Sequence, residues 1–454
     1  MTPEQQMLCL AALTYRDFAD AGPPLTHGVR FRQDVEAKLE ALAPHLGRWT
    51  LVWGPASYRA PMSLFDDAAA FVVQNADRPN QPPQYVVAVR GTNPISAFDW
   101  LFGDFWVAGQ VPWSFDPTGK ARISLSTALG LGILLQLQAT DPPAGAAAKI
   151  WNRIDQGLDT LAGVANEFVT KVRSRDAIRV RDDVQRVLGQ VAAARLRVQA
   201  RDPGARLAEI QKQWLATVRE PMITTAVAGL DVVGGTPSLQ LLNLLEKHSL
   251  ITARLNGGND LTAFLRAAVL DSDGPLEVIF TGHSKGGALA PTLALWFAEN
   301  QGNAADRASR WDSHRHATVS CYHFAGPTAG NAEFVARSDE KIGDRCFGFV
   351  NPLDIVTKAW QPDDVRSIAK LYDADKVLPI PALALLSKDI ADILIAQKLE
   401  YRHVGRHVRK LDTTLADGIH DFVGQFVYQH LEAYIAAMGI DDVVSLDTFF
   451  NPLQ

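Results

Sequence analysis

Cysteine is scarce in this chain: Cys9, Cys321 and Cys346 are the only three in 454 residues. Three thiols cannot build a disulfide framework, and no Cys-x-x-Cys pair or Cys/His cluster has zinc-site spacing, so neither staples nor a structural metal is expected. Thiols this sparse suit a reducing compartment, and suit many secreted bacterial proteins equally well. Excess positive charge is also missing. With a net charge of −6 and a pI of about 6.0, the chain lacks the global electrostatic footprint of a nucleic-acid binder, and no such partner is expected. Nor is there a long apolar run. The longest, Ile123 to Leu137, is interrupted by Ser124, Ser126, Thr127 and Gln136, which makes it too short and too polar for a transmembrane segment. The opening segment MTPEQQMLCLAALTYRDFAD has no basic n-region and reaches Tyr15, Arg16 and Asp17 after a short apolar stretch. No Sec signal peptide is read there, so the expected location is cytoplasmic, or outside the cell by a route that needs none.

The remaining composition is that of an ordinary globular chain. Hydrophobic residues make up 47% and charged residues 21%, which rules out disorder as the main state. At 49.5 kDa the chain exceeds one typical domain, so either two domains or one domain with an insertion is expected.

Short runs rich in β-branched and aromatic residues read as strands at Trp49–Trp53, Ala70–Val73, Tyr85–Arg90, Glu277–Thr281, Thr318–Phe324 and Cys346–Val350. Most are continuously apolar rather than alternating, the pattern of strands covered on both faces. Helical patterns follow at Gly287–Glu299 and Phe422–Met438, which predicts an α/β architecture with a mostly parallel sheet flanked by helices. Residues 121–266 break this rhythm. They carry long helical patterns, Ala144–Val172 and Arg181–Trp214 being the clearest, and hardly any strand signal. The expected layout is a core of residues 1–120 and 267–454 with a large helical insertion, 121–266, acting as lid or cap. Between Lys171 and Lys212 there are eleven basic and five acidic residues. That excess suits a solvated face on amphipathic helices, or peripheral attraction to an anionic lipid interface.

The segment Glu277-Val-Ile-Phe-Thr-Gly-His-Ser-Lys-Gly-Gly-Ala-Leu contains Gly-x-Ser-x-Gly as Gly282-His283-Ser284-Lys285-Gly286. The pentapeptide alone is weak. Its context adds weight: an apolar strand leads in and a helix rich in small residues leads out, the arrangement of a nucleophile elbow. A serine on so sharp a turn tolerates almost no flanking side chains, which accounts for Gly282 and Gly286. The helix that follows aims its N–H groups and dipole at a developing oxyanion, and the Lys285 N–H is a natural donor.

Together with Val86–Trp100, Tyr322–Phe334 and Phe347–Val356, this segment resembles the class 3 lipase family, the fungal-type triacylglycerol lipases and their bacterial relatives. The resemblance implies an α/β-hydrolase fold and a serine esterase or lipase. No cofactor is expected, and no metal, since the sequence shows no metal-ligand spacing. Lys285 stands where the family usually carries an apolar residue, and the helical insertion has no fungal counterpart. In the family, the hydroxylic residue of Arg-Gly-Ser/Thr serves the oxyanion hole, a role that falls on Thr92 of Arg90-Gly91-Thr92. An early strand-to-helix loop is also where α/β-hydrolases place a second oxyanion donor. The acid of such enzymes follows the serine at the end of a later strand. Asp354 in Phe347-Gly-Phe-Val-Asn-Pro-Leu-Asp-Ile-Val has that position and resembles the family's Val-Asn-x-x-Asp-x-Val. Its local competitors, Asp363 and Asp364, read as loop surface.

For the base, His403, His407, His420 and His430 lie beyond Asp354. Tyr401–Gly405 reads as the last edge strand, and His407 belongs to the same basic run, which leaves His420 and His430. Local pattern favours His420, in a loop after Gly418. The resemblance favours His430, with Tyr434 one turn on and a helix break at Gly424 just before it. His430 is therefore the expected base, and His420 the alternative.

An aromatic run containing Phe98, Trp100, Phe102, Phe105, Trp106, Trp113 and Phe115 packs in the core or lines an acyl pocket. Fungal relatives carry their lid in this region, and the insertion, including Met222–Val233, extends or replaces it. The expected reaction is carboxylic-ester hydrolysis on a lipid or ester substrate, most simply a triacylglycerol. A phospholipase is the alternative within the class, and a non-catalytic binding module on a hydrolase scaffold is the alternative outside it.

Overall fold

The computed structural model describes residues 1–16, 24–58, 68–90, 110–135, 137, 260–272, 274–302, 310–372, 376–379, 381–396 and 398–445. In chain order these form α1 (Pro3–Leu13), α2 (Pro24–Leu46), β1 (Trp49–Tyr58), β2 (Ala68–Asn75), β3 (Gln84–Val89), β4 (Gln110–Pro112), β5 (Arg122–Ser124), α3 (Leu125–Leu134) and α4 (Leu261–Asp271). There follow β6 (Leu276–His283), α5 (Lys285–Glu299), β7 (Ala317–Phe324), α6 (Ala332–Ile342), β8 (Cys346–Val350), α7 (Pro362–Ser367), α8 (Pro381–Ala396), β9 (His407–Lys410), α9 (Phe422–His430) and α10 (Glu432–Ala437).

A seven-stranded sheet runs in the order β1-β2-β3-β6-β7-β8-β9. The β1–β2 and β2–β3 pairs are antiparallel, and the four pairs from β3 to β9 are parallel. The mostly parallel sheet read from the sequence is therefore present, and β8 has the bounds read for it. The continuous apolar runs explain themselves by burial on two faces. Val72, Val87, Val89, Val278 and Phe280 point into one core with Leu289 and Leu293 of α5 and Leu131 and Leu134 of α3. The alternate residues Phe71, Val73, Val86, Ala88 and Ile279 point into the other, with Leu8, Leu10 and Leu13 of α1 and Tyr434 of α10. Each such side chain removed from water contributes on the order of 1.5–3 kcal/mol. α1 thus earns a central place despite its modest length: Met7–Leu13 are buried throughout, and Thr2 and Gln5 close its N-terminus with a reciprocal capping box.

Three sequence readings need correction. The edge strand is His407–Lys410, not Tyr401–Gly405. Its exposed, charged side chains carry no apolar period, and Gly405 at φ 100° turns the chain just before it. The pattern Phe422–Met438 is two helices, α9 and α10, broken at Leu431 (φ −123°, ψ −75°) rather than at Gly424. Gly424 sits in the first turn of α9, where its N–H is capped by the Asp421 side chain at 2.7 Å. Asp363 and Asp364 lie in the first turn of α7, not in a loop, where acidic residues suit the helix dipole.

Most of the expected insertion lies outside the described residues, including Ala144–Val172, Arg181–Trp214, the basic run and Met222–Val233. Its described flanks belong to the core: β5 pairs with β4, and Ile123, Leu131, Leu134, Leu261 and Leu265 join the first core. Among the described residues, no helix is long and apolar enough to cross a membrane, and no cluster of His, Cys, Asp or Glu could hold a metal.

Candidate functional site

β6 delivers Ser284 at its C-terminal end, between His283 and the first residue of α5. Ser284 has φ 62° and ψ −131°, a region a non-glycine residue adopts only when its surroundings enforce it. Two close approaches do so. A Cβ on Gly282 would stand 2.3 Å from the Gly286 carbonyl oxygen, and one on Gly287 would stand 2.4 Å from that of Phe324. The helix can therefore turn back onto β6 and press against the end of β7 only with glycine at both places. The Ser284 N–H donates to the Phe324 carbonyl at 3.0 Å, and the Gly287 N–H donates to the Ser284 carbonyl at 2.7 Å. Lys285 opens α5 and is half-buried.

β8 ends at Val350, and the turn after it carries Asp354, which is completely buried. Its Oδ2 accepts from His430 Nδ1 at 2.9 Å and from the Tyr434 hydroxyl at 3.0 Å, and its Oδ1 accepts from the Val356 N–H at 2.9 Å. A carboxylate with three donors is well compensated for burial. Tyr434 also accepts from the Asn351 N–H at 2.9 Å, and burial, with the Asp354 charge behind it, pushes its hydroxyl well above the ordinary tyrosine range. It therefore stays a proton donor to Asp354 at any physiological pH.

His430 closes α9, stacked on Phe426 with ring centroids 5.7 Å apart. The Asn351 side chain reaches the same helix end, donating to the Gln429 carbonyl at 2.7 Å and to its Oε1 at 2.8 Å. With the proton of His430 on Nδ1 facing Asp354, Nε2 is left as an acceptor. That atom and Ser284 Oγ are both buried, and neither engages a hydrogen bond. Buried polar atoms rarely remain unpaired without a reason. His283, the neighbour of Ser284, lies with its ring centroid 4.8 Å from that of His430.

The family model described as lipase (class 3) matches residues 212–363. The chain is similar to the class 3 lipases. The crystal structure of M37 lipase is similar over 99% of this chain and 96% of that chain, with a TM-score of 0.66 and 23% identity, and the fold is that of an α/β-hydrolase. A lipase from Rhizopus microsporus var. chinensis is similar at TM-score 0.31 and 14% identity, covering 80% of this chain and 71% of that chain. Lipase II from Rhizopus niveus gives 0.31 and 12%, covering 78% and 74%. No curated protein matches.

The class 3 lipase match includes Ser284, Lys285 and Asp354 but stops short of His430, and begins after Thr92. Thr92 lies outside the described residues. The strand before it does not: Val89 at the end of β3 is in register with Gly282 of β6. His420 is exposed, with Nδ1 3.2 Å from the Lys376 carbonyl, and is joined to neither Ser284 nor Asp354. Of the aromatic run, Trp113 and Phe115 are described. Trp113 is buried against Phe334 and Phe115, with centroids 5.2 and 5.6 Å away, so these two serve the core. Phe324–Asn331 shapes the loop after β7: Asn331 caps α6 through the Phe334 N–H at 3.0 Å, and Thr328 ties to the Ala359 carbonyl at 2.9 Å. Sequence reasoning gave no role to Asn351, although an Asn at a strand end was a usable signal. It also gave none to His283, hidden inside the motif that names the serine.

Proposed function

We propose that this protein is a carboxylic-ester hydrolase, with triacylglycerols as its first candidate substrates, in which Ser284 is the nucleophile, His430 the base and Asp354 the acid. The observation that carries the reading is the 2.9 Å bond from His430 Nδ1 to Asp354 Oδ2, made beside an elbow serine whose Oγ, like His430 Nε2, is buried and uncommitted. Ser284 Oγ attacks the ester carbonyl while His430 Nε2 takes its proton, and Asp354 holds the imidazole tautomer and stabilises the imidazolium. The carbonyl oxygen becomes an oxyanion, held by the Lys285 N–H at the positive end of α5 and by Thr92. Its collapse breaks the ester C–O bond, and His430 returns the proton to the departing alcohol. Water, deprotonated by the same base, then splits the acyl-enzyme and restores Ser284. A catalytic serine and base need not be paired before substrate arrives, since such contacts commonly tighten in the substrate complex.

The name of M37 lipase and the match to class 3 lipases support an ester of lipid type. The rest of the aromatic run, without Trp113 and Phe115, and the helical insertion are proposed to gate the site, so long-chain emulsified esters should be cleaved faster than soluble acetyl esters. The test is a panel of nitrophenyl esters of rising chain length beside a triacylglycerol emulsion and a phospholipid vesicle, run with wild type and Ser284→Ala. Hydrolysis of the long-chain esters, lost in Ser284→Ala with the fold intact, is expected. Activity retained by Ser284→Ala contradicts the mechanism, and preference for the vesicle converts the lipase into a phospholipase.

A further inference from the structure

His283 occupies the second position of the elbow motif, where any side chain is allowed by the turn itself, yet it is completely buried. It is also tied at both ends. Its Nε2 lies 2.8 Å from the main-chain carbonyl oxygen of His430, an acceptor that can be satisfied only if Nε2 carries the proton. Its own carbonyl accepts from the Tyr15 hydroxyl at 3.0 Å. The Tyr15 and Tyr434 rings stand edge-on to the imidazole, at centroid distances of 6.0 and 5.7 Å. Burial, reinforced by the neighbouring His430, holds His283 well below the ordinary histidine range, so it remains neutral with a single N–H.

We propose that His283 is a positioning residue, the central piece of a brace that runs from Tyr15 through the elbow to the end of α9 and sets the separation of Ser284 from His430. The argument rests on what each element lacks alone. Ser284 is placed by the turn between β6 and α5, whereas His430 ends a helix that is broken at the very next residue, Leu431. Asp354, Asn351 and Phe426 fix His430 relative to β8 and α9, and the side-chain hydrogen bonds of Asp354 and Asn351 run to α9, to Tyr434 and to the turn after β8 rather than to β6. The His283 N–H is a direct hydrogen bond from the strand of the nucleophile to the residue of the base, and it reaches the backbone of that residue, leaving the His430 ring free to carry a proton. Its neutrality matters too: a second cationic imidazole 4.8 Å away would oppose the imidazolium that the reaction forms.

This inference rests on the proposed triad, and the test separates the two. His283→Gln keeps an N–H donor at the place of Nε2, whereas His283→Met keeps volume and removes the donor. kcat and KM on a soluble ester and thermal midpoint are measured for wild type, both variants and Ser284→Ala. A displacement on the order of 1 Å between reacting groups costs about 100-fold. His283→Met is therefore expected to lower kcat about 100-fold with KM within about threefold, while His283→Gln recovers most of that loss. A merely structural role would move the thermal midpoint of both variants and leave kcat of the folded enzyme near wild type. That result, or an equal loss of kcat in His283→Gln and His283→Met, overturns the brace. Where His283→Met does not fold, Tyr15→Phe decides, because it removes one hydroxyl and no packing. A kcat about tenfold lower at unchanged KM is expected there, and wild-type kcat overturns the proposal. Should Ser284→Ala stay active, it is the triad that falls; with Ser284→Ala inactive and the other variants normal, the brace alone falls.

Discussion

The elbow and the helix end that faces it are built on opposite plans. At the elbow, five consecutive residues and one glycine beyond them determine the geometry: Ser284 is strained because Gly282 and Gly287 let backbone approach backbone at distances that admit no Cβ. At the helix end, the only local hold described on the His430 ring is its stacking on Phe426, one turn back. Its position depends on Asp354 and Asn351 after β8, on Tyr434 beyond the break, and on His283 from β6. Local strain places the serine, and long-range hydrogen bonds place the histidine. A motif can therefore announce the first, while the second has to be found by its partners.

The largest effect that sharpens this contrast is the exchange of histidines. His430→Asn should lower kcat on a soluble ester by about 10⁶-fold, as loss of a triad base commonly does, whereas His420→Asn, whose side chain is exposed and bound only to the Lys376 carbonyl, should leave kcat within about twofold. Circular dichroism of both variants keeps the comparison to folded protein. A near-normal His430→Asn beside an inactive His420→Asn reverses the assignment. Next in size is Asp354→Asn, expected to cost about 10⁴-fold in kcat by presenting the wrong tautomer of His430, with little change in KM.

These two expectations also mark how far the sequence could be read. The central strands were legible because their apolar runs are long and buried on both faces, and Ser284 because strain at a strand-to-helix turn demands glycines at fixed offsets. β4 and β5, three residues each, are too short to carry any period. β9 escaped recognition because an edge strand displays charge, and its Arg409 and Lys410 face solvent. The break at Leu431 was illegible for a different reason. Phe422–Met438 is one apolar pattern, and the interruption falls where the His430 and Tyr434 side chains must both reach Asp354, a demand no window of sequence contains. The same non-locality is why local pattern favoured His420 over His430, since loop context says nothing of which histidine meets a carboxylate far upstream.

Smaller effects probe each plan separately. Gly287→Ala attacks local strain: with its Cβ 2.4 Å from the Phe324 carbonyl oxygen and 2.8 Å from Gly326 Cα, it should destabilise the fold by about 3 kcal/mol in denaturant titration. Wild-type stability would mean that α5 does not press on β7 as described. Tyr434→Phe attacks the long-range side, removing the hydroxyl that serves both Asp354 and Asn351. Such a bond to a charged group is worth about 1.5 kcal/mol, so kcat should fall about tenfold without loss of KM; an unchanged kcat would remove Tyr434 from the support of the acid.

The smallest effect concerns pH. Burial, and after it the neighbouring His323, hold His403 down at about 4, against about 6.5 in an unfolded chain. The unfolded state therefore binds the proton first. The stability contributed is complete above about 6.5 and is lost as pH falls from there through about 4. His403→Gln, which keeps a donor for the Thr357 carbonyl, should reduce the fall in thermal midpoint across that window by on the order of a few degrees. An identical slope in wild type and variant would exclude His403 as a contributor.

The central claim, that Ser284 is the one serine activated by the Asp354–His430 pair, is tested most directly by labelling with a fluorophosphonate and locating the adduct by mass spectrometry of the digested protein. The expected result is a single phosphonylated peptide containing Gly282–Gly286 with the adduct on Ser284, formed in wild type and absent from Ser284→Ala and from His430→Asn. Labelling at another serine, undiminished labelling in His430→Asn, or a folded and wholly inert wild-type protein would contradict it.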